Sequence, residues 1–185
     1  MKLSGAYQIN LEKQKVWDAL NDPDVLKKSI PGCEDFKKNS DTEFTATATN
    51  KIGPFNASFT GQIKLKDINA PHSYIIEGNG NSPVGFATGE AKVKLENHDG
   101  GTKLIYDVEA NVGGKIAQVG SRLIDMTAKK MADIFFGKFS ELVSNKTNIL
   151  KTEKVSDARV PREKKPFNKI LIYSSLFIIL TIIIY

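Results

Sequence analysis

The side chains that most often carry chemistry in enzymes are few in this chain and widely spaced. The only histidines, His72 and His98, lie 26 residues apart, and Cys33 is the only cysteine. A single cysteine excludes an internal disulfide and a cysteine-based zinc cluster. No His-x-x-x-His, Cys-x-x-Cys or Gly-x-x-x-x-Gly-Lys spacing, typical of metal and phosphate sites, occurs. No histidine lies beside a predicted catalytic nucleophile, and no predicted apolar face holds a metal-ligand cluster or paired carboxylates, so we expect no metal site and a protein that is not an enzyme.

Charge is distributed unevenly along the chain, which has 185 residues and a formal charge of +5. From Lys151 onwards there are seven basic and three acidic residues, which leaves 19 basic and 18 acidic residues in the first 150. A nucleic-acid-binding domain needs a basic face on its folded part. Because the folded part is nearly neutral overall, we expect no nucleic-acid partner.

The last residues form the clearest physical signal in the sequence. Ile170 to Tyr185 is a run of 16 residues without charge. As a helix it would span about 24 Å, short of the ~30 Å hydrocarbon core, and residues 167–169 bring it to a marginal span. A buried core helix or strand is the alternative. The basic stretch before the run favours a flank held in the cytoplasm and attracted to anionic lipid.

These observations predict three parts. Residues 1–145 form one folded domain, 146–166 a charged flexible linker and 167–185 a single-pass C-terminal membrane anchor, with the folded domain in the cytoplasm. The Met1 end has no charged-then-apolar signal segment, so we expect no export.

The folded part reads as strands around two short helices. Residues 3–11 predict a first strand and residues 12–20 a helix. Asp22 and Pro23 are typical of the cap and first position of a second helix, which Pro31-Gly32 should end. Six further strands are predicted near residues 33–38, 43–51, 55–69, 72–80, 84–96 and 103–112.

A long amphipathic helix is predicted after Gly113-Gly114. Apolar residues recur there at steps of three and four over about 28 residues; they include Ile116, Val119, Leu123, Met131, Ile134, Phe135 and Leu142. We expect Gly120 to let this helix approach the sheet closely. The element order favours an α+β fold with a curved seven-stranded antiparallel sheet wrapped around the helix, and small residues at Gly61, Gly85, Ala87 and Gly89 make an interior gap plausible.

Several short motifs occur in a familiar order over roughly residues 2–145. They are Ile30-Pro31-Gly32-Cys33-Glu34, Lys51-Ile52-Gly53-Pro54, Phe59-Thr60-Gly61, Gly89-Glu90-Ala91 and the segment Gly113 to Asp125, with Phe135-Phe136 and Phe139 downstream. In this order the chain resembles the CoxG family of carbon monoxide dehydrogenase subunits, which belongs to the START-like (SRPBCC) group of helix-grip ligand-binding domains.

The resemblance implies an accessory, non-catalytic protein that serves a molybdenum hydroxylase of the carbon monoxide dehydrogenase type. Such a protein would recruit the enzyme to membrane lipid and carry a menaquinone-type quinone, with no covalent cofactor. By residue type alone the large apolar side chains are more often core than ligand wall. The resemblance implies that seven of them line a ligand cavity: Trp17, Phe55, Phe59, Phe86, Met131, Phe135 and Phe139.

Two other functions are compatible with the sequence. One is a START-like enzyme that resembles polyketide cyclases and acts on a small apolar substrate, and the other is a lipid-transfer module. An enzyme would be expected to place a titratable pair in its cavity and would not need a membrane tail.

Overall fold

The computed structural model describes the backbone of residues 1–153 and the side chains of residues 1–144. The predicted anchor and most of the predicted linker therefore lie outside the described residues. In chain order the elements are β1 (Lys2–Ile9), α1 (Lys13–Ala19), α2 (Pro23–Ser29), β2 (Cys33–Lys38), β3 (Glu43–Ile52), β4 (Phe55–Asn69), β5 (Ser73–Ser82), β6 (Gly85–His98), β7 (Gly101–Gly114), a 3-10 helix (Lys115–Val119) and α3 (Ser121–Glu153).

The seven strands form one antiparallel sheet in the order β1-β7-β6-β5-β4-β3-β2. The inward face of this sheet shares one hydrophobic core with α1, α2 and α3. The predicted α+β class, the antiparallel seven-stranded sheet and the C-terminal helix are confirmed. Strands β1 and β2 are the two edges of the sheet, and α3 contacts both β1 and α2.

The turn chemistry around α2 follows the sequence prediction. The Asp22 side chain accepts hydrogen bonds from the backbone N–H groups of Asp24 and Val25, with Pro23 in the first turn. Gly32 ends the segment with φ +69°, and a Cβ there would lie 2.2 Å from the Thr49 carbonyl oxygen. A glycine is therefore required at this turn.

The long helix begins later than its apolar period predicts. Residues 115–119 form a 3-10 helix, and α3 starts only at Ser121. Apolar residues at steps of three fit both a 3-10 helix and an α-helix. Ile116 and Val119 therefore match the apolar period of α3 although they lie before its first residue. Gly120, with φ +90°, separates the two, and nothing lies within 4 Å of a Cβ built on it. The prediction that Gly120 allows close packing on the sheet was wrong, because its role is conformational.

The other end of α3 also differs from the prediction. The helix continues to Glu153, beyond the last predicted apolar position at Leu142. Among residues 1–153 no helix has both the length and the apolarity needed to cross a bilayer.

Candidate functional site

Six of the seven predicted ligand-wall residues meet inside the domain. Trp17, Phe59, Phe135 and Phe139 are buried members of the core, and Phe55 and Met131 are half-buried and pack against it. Alternation along β4 turns Phe55 and Phe59 inward, and the spacing of Met131, Phe135 and Phe139 places them on the sheet-facing side of α3.

The interior around these rings is filled. Phe59, Phe135 and Phe139 each have 0% of their surface accessible to water. A ring that borders a void of at least water size would retain accessible surface, so these three border none. The Phe135 and Phe139 rings stack with centroids 5.8 Å apart, and Phe136 meets Phe135 edge-on at 5.1 Å. The gap that the small residues made plausible is thus not found beside these rings.

Phe86 does not belong to this group. Its neighbour Ala87 is fully buried in the core, whereas Phe86 is 44% exposed. Successive side chains of a strand point to opposite faces, which places Phe86 on the outer face of the sheet. Its ring covers Gly113 on β7, where an added Cβ would come within 2.4 Å of the ring. It therefore does not line the interior.

An open groove lies where the edge strand β1 meets α3. It has a volume of about 400 Å³ and is lined by Leu3, Ser4, Gly5, Ala6, Tyr7, Tyr106, Lys129 and Asp133. Gly5 opposes Tyr106 in the β1–β7 register. A Cβ on Gly5 would lie only 2.5 Å from the Tyr106 hydroxyl oxygen, so the absent side chain makes room for this phenol at the groove.

The polar lining of the groove includes two phenols and one carboxylate, beside Ser4 and Lys129. The Tyr7 hydroxyl donates a hydrogen bond to Asp133. Burial, followed by this hydrogen bond, raises the pKa of Tyr7 above its usual value. Burial and the nearby Asp133 charge likewise raise the pKa of Tyr106. Both phenols are therefore protonated at neutral pH, and because the single O–H of Tyr7 is directed at Asp133, Tyr106 is the phenol that could donate to a ligand.

Aromatic contacts connect the groove with the interior. The Tyr7 ring stacks on Phe136 with centroids 3.9 Å apart, and Tyr106 stacks on the same ring at 5.8 Å. Phe136 in turn meets Phe135, which stacks on Phe139. A continuous aromatic path therefore runs from the surface groove to the residues predicted to hold a ligand.

Sequence reasoning missed the polar part of this site. Tyr7 and Asp133 are 126 residues apart, and no motif joins them. A tyrosine in a strand is ordinary for its β propensity, and an aspartate on a polar helix face reads as a solvated residue. Only the packing of α3 beside β1 gives the two residues a common site.

Other chemically capable groups lie away from the groove. Burial raises the pKa of the Cys33 thiol to about 11, so it is protonated and weakly nucleophilic at neutral pH. His72 Nδ1 lies 3.1 Å from the Lys13 ammonium at the surface. In the described part of the chain no three His, Cys, Asp or Glu side chains are grouped so that they could hold a metal ion.

A larger depression, about 550 Å³, lies on the outer face of β3 to β6. Its lining is mainly polar and charged, and includes Gln62, Lys64, Glu77, Asn79, Thr88 and Glu90. Sites for apolar ligands are lined mainly by hydrophobic and aromatic side chains. Of these two depressions, the smaller groove adjoins the aromatic path, and for that reason we regard it as the candidate site.

The fold defines a START-like domain, and solved structures share it. A conserved protein from Geobacillus kaustophilus is 28% identical, covers 78% of this chain and 96% of its own, and superposes with a TM-score of 0.75. A protein from Thermus thermophilus (11% identity, 78% and 98% coverage, TM-score 0.60) and the ZhuI aromatase/cyclase from Streptomyces sp. R1128 (11%, 80% and 95%, 0.55) share the fold.

The family follows from the sequence of the same domain. Residues 5–144 match the CoxG family of carbon monoxide dehydrogenase subunits. The chain belongs to this family, as its motifs suggested. No curated protein shows significant sequence similarity to the chain.

Proposed function

We propose that the protein is a membrane-tethered accessory subunit of a carbon monoxide dehydrogenase-type molybdenum hydroxylase, and that it carries a quinone. The single observation that supports the ligand-binding role is the β1–α3 groove, where two protonated phenols adjoin an aromatic path into the domain. Family membership supports the hydroxylase as partner. The uncharged run at residues 170–185 behind a basic flank supports the membrane tether.

The groove suits the ring of a quinone better than its isoprenoid chain. Its volume of about 400 Å³ falls in the range of small-molecule sites, roughly 300–1,000 Å³. The hydroxyl of Tyr106 would donate a hydrogen bond to a quinone carbonyl, and the Tyr7 and Phe136 rings supply flat apolar surface. Because Phe135 and Phe139 border no void, a chain could enter the interior only if α3 moved away from the sheet.

The test is direct binding to the full chain purified in detergent. Native mass spectrometry should detect a co-purified quinone. Titration with menadione should then quench the fluorescence of Trp17, which is the only tryptophan. The absence of both co-purified quinone and saturable quenching would refute the carrier role.

Matched variants locate the site. Gly5→Ala should displace the Tyr106 hydroxyl, and Tyr106→Phe should remove it, so both should weaken menadione binding. Ser58→Ala, on an exposed position of β4, is the control and should bind as the unmodified chain does. Equal binding by all of these variants would place the ligand elsewhere.

The hydrogen bond between Tyr7 and Asp133 favours a second candidate, a cyclase-like enzyme. In such a pair the Tyr7 oxygen could remove a proton from the carbon beside a substrate carbonyl while its own proton passes to the Asp133 carboxylate, which acts as the general base. The fold is shared with an aromatase/cyclase. Incubation with a linear polyketide thioester, followed by mass spectrometry of the products, tests this. Cyclisation that is lost in Tyr7→Phe would favour the enzyme over the carrier.

A further inference from the structure

Met126 is a large apolar side chain in an unusual setting on α3. It is 63% exposed, more than any other large hydrophobic residue that the structure describes. On a helix surface its neighbours are the residues three and four positions away. The residues at these four positions are Arg122, Leu123, Lys129 and Lys130, and all are exposed. An exposed methionine is thus surrounded by three cations and a second exposed apolar side chain.

The apolar surface continues from α3 onto the turn between β3 and β4. A Cβ on Gly53 would lie 3.2 Å from Leu123 and 3.3 Å from Val119, so both side chains pack against this turn. Pro54 beside it is exposed. We call the surface formed by Met126, Leu123, Val119 and Pro54, with its rim of Arg122, Lys129 and Lys130, the basic-rimmed patch.

The rim cations are not neutralised within the domain. Among the described residues, Arg122, Lys129 and Lys130 take part in no ion pair. The carboxylates nearest in sequence form no ion pair with them: Asp125 is half-buried, and Asp133 accepts the hydrogen bond from Tyr7. The patch therefore presents positive charge around an apolar centre, which is complementary to an acidic surface with an apolar centre.

The patch lies next to the candidate site. Lys129 belongs to the rim and also lines the β1–α3 groove. A macromolecule seated on the patch would lie beside the groove opening, where a bound ring would be passed on. Methionine and arginine are also enriched at the centres of protein interfaces.

The position of the patch along α3 favours a protein over a membrane as the occupant. The patch occupies the first three turns of the helix, and the helix then runs from Lys130 to Glu153, about 35 Å further. The uncharged run at residues 170–185 follows from that far end. The patch therefore lies at the opposite end of α3 from the point where the chain continues towards the proposed tether.

We propose that the basic-rimmed patch is the docking surface for an acidic protein surface on the hydroxylase, seated beside the groove. This inference rests on the proposed function, which supplies the partner. Met126 and Leu123 would enter an apolar depression, and the three cations would pair with carboxylates around it. Because the rim charges are exposed, binding should weaken as salt concentration rises.

The experiment compares two double variants of the full chain in detergent, with the purified hydroxylase as the probe. Arg122→Glu with Met126→Ser alters the patch. Lys138→Glu with Ile68→Ser makes the same chemical changes elsewhere, at an exposed lysine further along α3 and at an isoleucine that is 40% exposed. Biolayer interferometry should show about tenfold or greater loss of affinity for the first variant. The second should bind as the unmodified chain does.

Other results separate the two proposals. If the unmodified chain binds but both variants bind equally well, the patch is not the docking surface and the accessory role stands. If the unmodified chain does not bind the hydroxylase, the proposed function fails as well. The Geobacillus relative consists almost entirely of this domain, so we expect a chain ending at Glu153 to fold. Circular dichroism checks its folding. This shortened chain is then sedimented with vesicles containing 30% phosphatidylglycerol. Vesicle binding lost only in the first variant, with hydroxylase binding unchanged, would make the patch a lipid surface and overturn the inference.

Discussion

The hydroxyl of Tyr7 on the edge strand β1 donates a hydrogen bond to the Asp133 carboxylate on the long helix α3. The Tyr7 ring also stacks on Phe136, one turn further along the same helix. One side chain therefore holds α3 against the sheet by both a polar and an aromatic contact. The groove that we propose as the ligand site lies beside this connection.

Removing this hydroxyl should change how stability depends on pH. An unfolded tyrosine ionises near its ordinary pKa of 10.0, whereas folding raises the pKa of Tyr7. The stabilising contribution of the neutral phenol is complete below pH 10 and is lost as pH rises from there towards the folded-state pKa. Urea denaturation between pH 8 and 11.5 should therefore show a shallower alkaline loss of stability in Tyr7→Phe.

At neutral pH the same variant should lose about 1 kcal/mol, the usual net value of one hydrogen bond. Tyr106→Phe is a useful companion, because the pKa of Tyr106 is also raised. The double variant should have the shallowest alkaline loss. Identical pH profiles for the unmodified chain and the double variant would contradict the raised pKa values.

Phe135 should be among the costliest core residues to truncate. It has no accessible surface and contacts Phe136 and Phe139. Phe135→Ala should reduce the free energy of unfolding by about 3–5 kcal/mol, since a filled interior cannot fully collapse around the cavity. Phe135→Trp should cost about 1–3 kcal/mol through overpacking.

Phe86→Ala is the control for this series in urea denaturation. Its ring lies on the outer face and covers Gly113, so its removal should cost less than about 1 kcal/mol. A Phe135→Trp variant as stable as the unmodified chain would mean that α3 and the sheet leave more space in solution than the packed arrangement allows.

The side-chain cap of α2 should contribute measurably to the free energy of unfolding. The Asp22 side chain accepts hydrogen bonds from two backbone N–H groups at the start of this helix. The helix is packed into the core, where its Leu26 is fully buried. Asp22→Ala should cost about 0.5–2 kcal/mol. Asp22→Asn preserves an acceptor oxygen and should retain most of the stability. Equal losses in the two variants would show that the side-chain cap is not the cause.

The C-terminal segment should determine membrane association. A chain ending at Glu153 keeps the whole described helix and every core residue that the structure describes, of which Val143 is the last. It should remain in the supernatant after ultracentrifugation, whereas the full chain should pellet with membranes after a high-salt wash. Membrane retention of the shortened chain would contradict the predicted anchor at residues 167–185.

Local patterns in the sequence accounted for most of the fold. The strands predicted near residues 55–69 and 84–96 correspond to β4 and β6. Asp22, Pro23 and Gly32 marked the limits of α2, because capping and turn conformations depend on the residues at those positions. The sequence motifs also identified the family, since they occur in order along one domain.

The tertiary structure decided those features for which a sequence pattern is compatible with two different outcomes. Steps of three fit both kinds of helix, so only the backbone at Gly120 separates the 3-10 helix from α3. Apolar type alone could not say that Phe86 faces outward, because that depends on the register of β6. Nor could it show that the interior is filled, because packing depends on how α3 sits against the sheet. The meeting of Tyr7, Tyr106 and Asp133 is likewise a long-range result, since no local preference joins residues on β1, β7 and α3.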